Sequence, residues 1–265
     1  MRRNVTANLG LTVTGEVDML LAVAVANAPG LTVNDDLVVT LNGAPVEVRE
    51  LTDAHGSRLH RLVAQPGELE IRYRATTDGR ADPDHATELE QVHYLRPSRY
   101  AQSDALAPTA IAEFYGLEGE ELLAAVTTWV AIRLAYVAGS SAVTDGAIDT
   151  LLARRGVCRD YAHLTIALLR AMDVPARLVS VYAPGLAPMD FHAVTEAYIG
   201  GRWLLTDPTH LAPRESMLRI ASGRDAADTA FLTIFRGEAE LREIEVSAVV
   251  DTFPYENYSA VVQLG

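Results

Sequence analysis

The chain has 265 residues, of which 49% are apolar, and its 35 acidic and 22 basic side chains give a net charge of −13. This length and apolar fraction exclude a disordered chain and a disulfide-stapled mini-protein, because a full hydrophobic core can form. The single cysteine, Cys158, excludes an intramolecular disulfide and any metal site with several thiolate ligands. The acidic balance excludes a protein that binds the nucleic-acid backbone, since that needs a basic surface.

The N-terminal sequence predicts neither a secretion signal nor a membrane span. It begins MRRNVTANLG, and no apolar segment of signal-peptide length follows the two arginines. The most apolar early run, residues 19–26, is too short to cross a bilayer. Together with the lone thiol, these features predict a cytoplasmic protein with no membrane partner.

The first part of the chain has the pattern of an antiparallel β-rich module. Residues 37–41 (LVVTL) and 45–51 flank Asn42-Gly43, a strong hairpin signal because both turn residues tolerate positive φ. Apolar and charged residues alternate at 69–75, as in a half-buried strand. Several such strands with close turns predict a sandwich-like module over residues 1–92. A further strand is expected at 58–64, and a polar connection at 76–91.

Beyond this connection the apolar spacing becomes helical, and strand-like runs follow the helices. Helices that begin and end at glycine, proline or polar residues are expected at 118–137, 147–154 and 157–172. Strands are expected at 176–182, 191–199, 203–206 and 241–250. Helices followed by antiparallel strands are typical of an α+β fold, which we assign to a second domain over residues 93–265.

Cys158 is expected at the first turn of a helix, two residues after the helix-ending Gly156. The N-terminus of a helix carries partial positive charge and unpaired N–H groups, which stabilise a thiolate and can bind an oxyanion. The position therefore favours an activated nucleophile. The alternative is a buried structural thiol, since free cysteine is among the most buried residue types.

A thiol nucleophile needs a base and a residue that orients the base, and one hairpin offers both. If Gly200-Gly201 is a two-residue turn, paired positions sum to 401, so His192 becomes the diagonal neighbour of Asp207 on one face. A hydrogen bond can form at that separation. The alternatives are a histidine satisfied within the sheet and an aspartate that forms a turn.

The segments RRGVCRDYAHL and DFHAVTEAYIGGRWLLTDPT resemble the transglutaminase-like superfamily, and in particular its bacterial members that are predicted cysteine proteases. The resemblance covers about residues 94–250, and the N-terminal half resembles the module that precedes this domain in the same group. It implies a papain- or transglutaminase-like core of helices on an antiparallel sheet, with Cys158, His192 and Asp207 as a catalytic triad.

The resemblance also implies acyl transfer at an amide or peptide bond through a thioester, with no cofactor and no metal. We expect a hydrolase acting on a peptide, an amide or a protein, and no nucleic-acid partner. The alternatives are a protein-glutamine transglutaminase-type acyltransferase and a non-catalytic binding module that retains the fold. Trp129 and Tyr136 are candidate side-chain donors to the oxyanion, although their helical spacing favours core packing.

Two further polar features favour structural roles. Asp160 follows Cys158 within the first helical turn, where carboxylates usually cap free N–H groups. His85 and His93 flank a stretch with oxygen and nitrogen donors, but their spacing is not that of a metal site, so a solvated loop is expected.

Overall fold

A five-stranded and a four-stranded antiparallel sheet share one core in the computed structural model, which describes residues 1–258 and 260–265. Leu69, Ile71 and Tyr73 alternate into this core, so the half-buried strand predicted there is confirmed. The strands contributed by the first eighty residues are β1 (Arg2–Val13), β2 (Val17–Leu21), β3 (Leu31–Leu41), β4 (Ala44–Pro45), β5 (Arg49–Thr52), β6 (Arg58–Ala64) and β7 (Gly67–Gly79).

The predicted hairpin at Asn42-Gly43 is confirmed, but its second arm is shorter than expected. Asn42 and Gly43 adopt positive φ values of 50° and 82°, and Leu41 pairs with Ala44. The arm ends at Pro45, and β5 pairs with β6 in the other sheet. The prediction of one continuous strand over 45–51 was therefore wrong, because the chain crosses between sheets within this segment.

The helices are α1 (Glu88–Leu95), α2 (Ser103–Phe114), α3 (Gly119–Arg133), α4 (Ala147–Ala153), α5 (Cys158–Ala171) and α6 (Ala226–Thr229). α4 and α5 confirm the prediction, whereas α3 ends four residues early because Leu134 is extended and β8 (Ala135–Tyr136) follows. The sequence analysis missed α1 and α2. The signal for α1 was the capping box of Thr87 and Glu90. No helix in the described part of the chain is long and apolar enough to span a membrane.

A third antiparallel sheet lies against α5, in the strand order β12-β11-β10-β13. Its strands are β10 (Ala176–Tyr182), β11 (Phe191–Ile199), β12 (Arg202–Thr206) and β13 (Leu218–Gly223). α5 is buried from Asp160 to Arg170, between the other helices and this sheet. A short parallel pair joins β8 to β9 (Arg155–Gly156). The predicted α+β class, with a β-rich region followed by helices on an antiparallel sheet, is confirmed.

The last strands return to the sandwich. β14 (Leu232–Arg236) pairs with β2, and β15 (Ala239–Val250) pairs with β1 from Arg3 to Val13. The strand predicted at 241–250 is confirmed as part of β15, and it pairs with β1 rather than with the sheet against α5. The division at residue 92 stays a prediction, although the range 93–265 includes two strands hydrogen-bonded into the N-terminal sheets.

The sandwich and the sheet against α5 are packed together through aromatic and backbone contacts. The hydroxyl of Tyr182 on β10 donates a 2.7 Å hydrogen bond to the carbonyl of Val23, and its ring stacks on Tyr73. Leu218 and Ile220 of β13 lie in the sandwich core. The sheet that carries His192 is therefore held against the N-terminal module.

Candidate active site

Cys158 is the first residue of α5, and the chain enters this helix through a tight turn. The carboxylate of Asp160 accepts a 2.8 Å hydrogen bond from the backbone N–H of Val157, which precedes the helix. A Cβ on Gly156 would lie 2.6 Å from the Cβ of Asp160, so only glycine allows this close approach. Asp160 thus has the capping position expected for it, and the partly exposed thiol lies at the positive end of the helix dipole.

The hairpin of β11 and β12 has the predicted register, because Ile199 pairs with Arg202 and Thr195 with Thr206. A 2.7 Å hydrogen bond joins Nε2 of His192 to Oδ2 of Asp207, and both residues are buried. Burial lowers the pKa of His192, but the charge of Asp207, its hydrogen bond and the neighbouring Cys158 raise it to about 10. Burial opposes ionisation of Asp207, yet His192 holds its pKa below the usual range.

The other ring nitrogen of His192, Nδ1, is buried and has no hydrogen-bond partner within the described residues. Cys158 is among the groups that raise the pKa of His192, so the thiol lies near the ring. The structure therefore brings the three predicted site residues together. Their roles as nucleophile, base and orienting acid stay a prediction.

The sequence analysis missed Thr209, which holds the second oxygen of Asp207. Its backbone N–H and its hydroxyl donate hydrogen bonds of 3.0 and 2.7 Å to Oδ1 of Asp207. An aspartate that binds the backbone two residues on is a known turn pattern, and Asp-Pro-Thr was its signal in the sequence. Each oxygen of Asp207 therefore has its own partner.

Tyr136 lies beside the thiol, whereas Trp129 does not belong to the site. The backbone N–H of Cys158 interacts with the phenolic oxygen, and burial together with the charge of Cys158 raises the pKa of Tyr136 to about 12. Strand β8 fixes this position, because Val137 donates a hydrogen bond to the carbonyl of Gly156. Trp129 instead bonds Glu113. Core packing, expected for both aromatics, was thus wrong for the 43% exposed Tyr136.

The histidines considered for a metal site lie in separate surroundings. Nδ1 of His85 is 3.3 Å from the carbonyl of Gly201, and His93 packs edge-on against Tyr94. Residues 1–258 and 260–265 contain no group of three or more His, Cys, Asp or Glu side chains arranged to hold a metal ion.

Comparisons with known proteins place this site within a matched segment. The family model of the transglutaminase-like superfamily matches residues 113–208, a range that includes Cys158, His192 and Asp207. Among solved structures, the chain is similar to a "Putative Cysteine Protease" from Cytophaga hutchinsonii, with 34% identity and a TM-score of 0.89. That match covers 98% of this chain and 95% of the other.

Curated relatives match over shorter segments. An uncharacterized protein of Mycobacterium leprae is 32% identical over 124 residues, which are 43% of this chain and 43% of that protein. An uncharacterized protein of Mycobacterium tuberculosis is 34% identical over 152 residues, or 51% and 48%. The chain thus spans about half the length of the curated relatives it matches. The near-complete match to the Cytophaga structure and the match to the family model agree with each other. The chain therefore belongs to the transglutaminase-like superfamily.

Proposed function

We propose that the protein is a cysteine peptidase or amidase that uses Cys158 as nucleophile, His192 as general base and acid, and Asp207 as the residue that orients the imidazole. Family and fold support a thiol enzyme in general terms. The observation that carries the finer proposal is the buried 2.7 Å bond between His192 and Asp207 beside a thiol at a helix N-terminus. A reducing, cytoplasmic setting suits this thiol.

In the first half of the reaction, the thiolate of Cys158 attacks the carbonyl carbon of an amide. The oxyanion that forms would replace the phenolic oxygen of Tyr136 as acceptor for the backbone N–H of Cys158, and it would also accept a hydrogen bond from the hydroxyl of Tyr136. The raised pKa keeps that hydroxyl protonated at neutral pH, so it can donate. Protonated His192 then gives its proton to the leaving amine, the C–N bond breaks, and a thioester remains on Cys158.

In the second half, neutral His192 takes a proton from water, and the resulting hydroxide attacks the thioester carbonyl. The C–S bond breaks, the carboxylic acid leaves, and the thiolate and the imidazolium are restored. Asp207 keeps its hydrogen bond to Nε2 of His192 in both halves of the reaction, so Nδ1 of the same ring faces the reacting atoms. Hydrolysis needs only water as the acceptor, whereas cross-linking needs an amine that competes with water.

Alkylation of the native protein by iodoacetamide tests the activated thiol, because Cys158 is the only cysteine. We expect rapid labelling of the folded protein, and His192→Ala should slow it by at least about 100-fold, as loss of a general base commonly does. His85→Ala, which changes a histidine outside the site, is the matched control and should label at the wild-type rate. Labelling that appears only after denaturation would contradict the proposal.

Turnover of a panel of peptides and amides, with and without a primary amine, is the second arm of this experiment. We expect carboxylic acid products that require Cys158 and disappear in Cys158→Ala. Products that contain the added amine would assign an acyltransferase instead. Rapid alkylation without turnover of any substrate would favour a binding module that retains the fold.

A further inference from the structure

The turn that begins at Asp207 is contacted by a segment that follows β15. We call this segment the strap, and it consists of residues 253–258 and 260–262. Before the turn, the backbone N–H of Leu205 donates a 2.7 Å hydrogen bond to the carbonyl of Val262. Leu205 belongs to β12 and lies two residues before Asp207. The strap therefore holds the edge of the strand from which the turn leaves.

Beyond Asp207, the strap contacts the far side of the turn through an aromatic side chain. The ring centroids of His210 and Tyr258 lie 4.2 Å apart, and the Tyr258 hydroxyl donates a 3.2 Å hydrogen bond to the carbonyl of His210. His210 has a φ of 54°, a left-handed conformation that a residue other than glycine keeps when its surroundings hold it there. Its backbone N–H donates a 3.3 Å hydrogen bond to the carbonyl of Asp207, which closes the turn.

A buried arginine joins the strap to β12. The guanidinium of Arg214 pairs with the carboxylate of Glu256 at 2.9 Å, and this carboxylate also accepts a 2.6 Å hydrogen bond from the backbone N–H of Arg214. The same guanidinium donates hydrogen bonds to three carbonyls, one on β12 and two in the strap, those of Leu205, Asn257 and Ala260. Charge-assisted hydrogen bonds from a planar guanidinium fix the geometry of its acceptors. Arg214 therefore fixes the position of the strap against the strand.

We propose that Arg214 is a positioning residue, because it holds, through the strap, the turn in which Asp207 orients the imidazole of His192. This inference rests on the proposed function. The Asp207 carboxylate is bound by Thr209 inside the turn and by His192 outside it, so a turn that moves changes the hydrogen bond to the imidazole. A misplacement of about 1 Å that originates far from the reacting atoms can cost about 100-fold in rate.

Two changes in the strap test this role without altering the catalytic residues. Glu256→Gln removes the counterion of Arg214, and Tyr258→Phe removes only the hydroxyl that binds the carbonyl of His210. We expect kcat on an amide substrate to fall about tenfold in Glu256→Gln and about threefold in Tyr258→Phe, while KM stays within about a factor of two, because alignment of the imidazole is lost rather than binding of substrate. Glu215→Gln removes a neighbouring carboxylate that pairs with an arginine at the surface, and this matched control should keep both constants.

The pH profile of alkylation by neutral iodoacetamide separates positioning from a general loosening of the fold. Its alkaline midpoint follows loss of the imidazolium proton, and a weaker hydrogen bond from Asp207 lowers the pKa of His192. We expect the midpoint to move about one pH unit towards neutrality in Glu256→Gln. In an Asp207→Asn background, Glu256→Gln should move it no further, because both changes act on the same interaction.

Three outcomes would contradict a part of this account. A lower free energy of unfolding with an unchanged kcat and an unchanged midpoint would overturn the inference and leave the strap a purely structural role. Equal movement of the midpoint in both backgrounds would also overturn it, since the strap would then act on the imidazole by another route. If Glu256→Gln does not fold, Tyr258→Phe decides by the same measurements. A wild type whose native thiol is unreactive contradicts the proposed function itself.

Discussion

The two carboxylate oxygens of Asp207 bind different partners. Oδ2 holds the ring of His192, and Oδ1 accepts two hydrogen bonds from Thr209, so the carboxylate cannot rotate without breaking three contacts. Such support keeps a buried charge in one orientation, and an unpaired charge at this depth would be costly. The pair therefore contributes to folding stability as well as to the proposed chemistry.

The ionised pair predicts a pH-dependent contribution to stability. The folded pKa of His192, about 10, lies above its ordinary value of 6.5. The stabilisation is therefore fully present below pH 6.5 and is lost as the pH rises towards 10. Urea unfolding of wild type and His192→Gln should show a free-energy difference that shrinks across this range. In an Asp207→Asn background the pH dependence should largely disappear, and a constant difference in the wild-type background would contradict the assignment.

At the scale of elements, the entry into α5 positions the thiol through a short stretch of backbone. β9 ends at Gly156, Val157 is extended, and the Asp160 carboxylate closes the turn. β8 pairs with β9 and so brings Tyr136 to the same place. The geometry of this turn therefore sets the positions of both Cys158, the candidate nucleophile, and Tyr136, the candidate oxyanion donor.

Gly156→Ala tests how closely this turn is packed. The added methyl group would meet the Cβ of Asp160 at 2.6 Å, and relieving that contact must move the backbone or the cap. We expect a loss of about 1–3 kcal/mol in the free energy of unfolding, as in other overpacked sites. Gly15→Ala is the matched control, because nothing lies within 4 Å of a Cβ there, and it should change stability by less than about 0.5 kcal/mol. Equal stability of the two variants would contradict this account.

Sequence patterns predict a helix or strand well where its bounds are set by residues close to it in the sequence. β10 and β11 begin and end where alternation and turn residues indicate, and the Gly200-Gly201 turn fixes the register that joins His192 to Asp207. The helix over 118–137 was extended too far because apolar spacing continues past Arg133. The chain there leaves the helix to pair with β9, a contact that spacing cannot report.

In the candidate site, too, the sequence predicts features that depend on neighbouring residues but not those that depend on contacts between distant segments. Cys158, His192 and Asp207 could be identified because helix position, strand period and hairpin register are local properties. Tyr136 was assigned to a helix face and therefore to the core, although its parallel bridge places it beside the thiol.

At the scale of the whole molecule, a buried ionic network links the sandwich to the sheet against α5. Arg177 and Arg219 both bind the carboxylate of Glu196, and Arg177 also contacts Asp84 of the connection and the ring of His55 from the sandwich. The guanidinium of Arg177 lies 3.9 Å from the ring centroid of Trp203. Burial opposes ionisation of Glu196, but the two arginines hold its pKa below the usual range.

Removing the central carboxylate should weaken the whole assembly. Glu196→Gln leaves Arg177 fully buried without its main counterion, and we expect a loss of about 3–5 kcal/mol in the free energy of unfolding. Glu120→Gln removes a carboxylate that pairs with Arg202 at the surface, and this control should cost less than about 1 kcal/mol. Chemical denaturation measures both, and similar losses would contradict the importance of the network.

The return of the chain to its first sheets also limits how the two bodies can move. The chain leaves the sandwich between β7 and α1 and returns to it between α6 and β14. Beyond β15 it crosses once more to the sheet against α5, where the backbone N–H of Leu205 donates a hydrogen bond to the carbonyl of Val262. A protein joined by one linker can swing freely about it. Here any hinge motion must bend all of these passages together, so we expect the sandwich and the sheet against α5 to move as one unit, and only the loops around Cys158 to move separately.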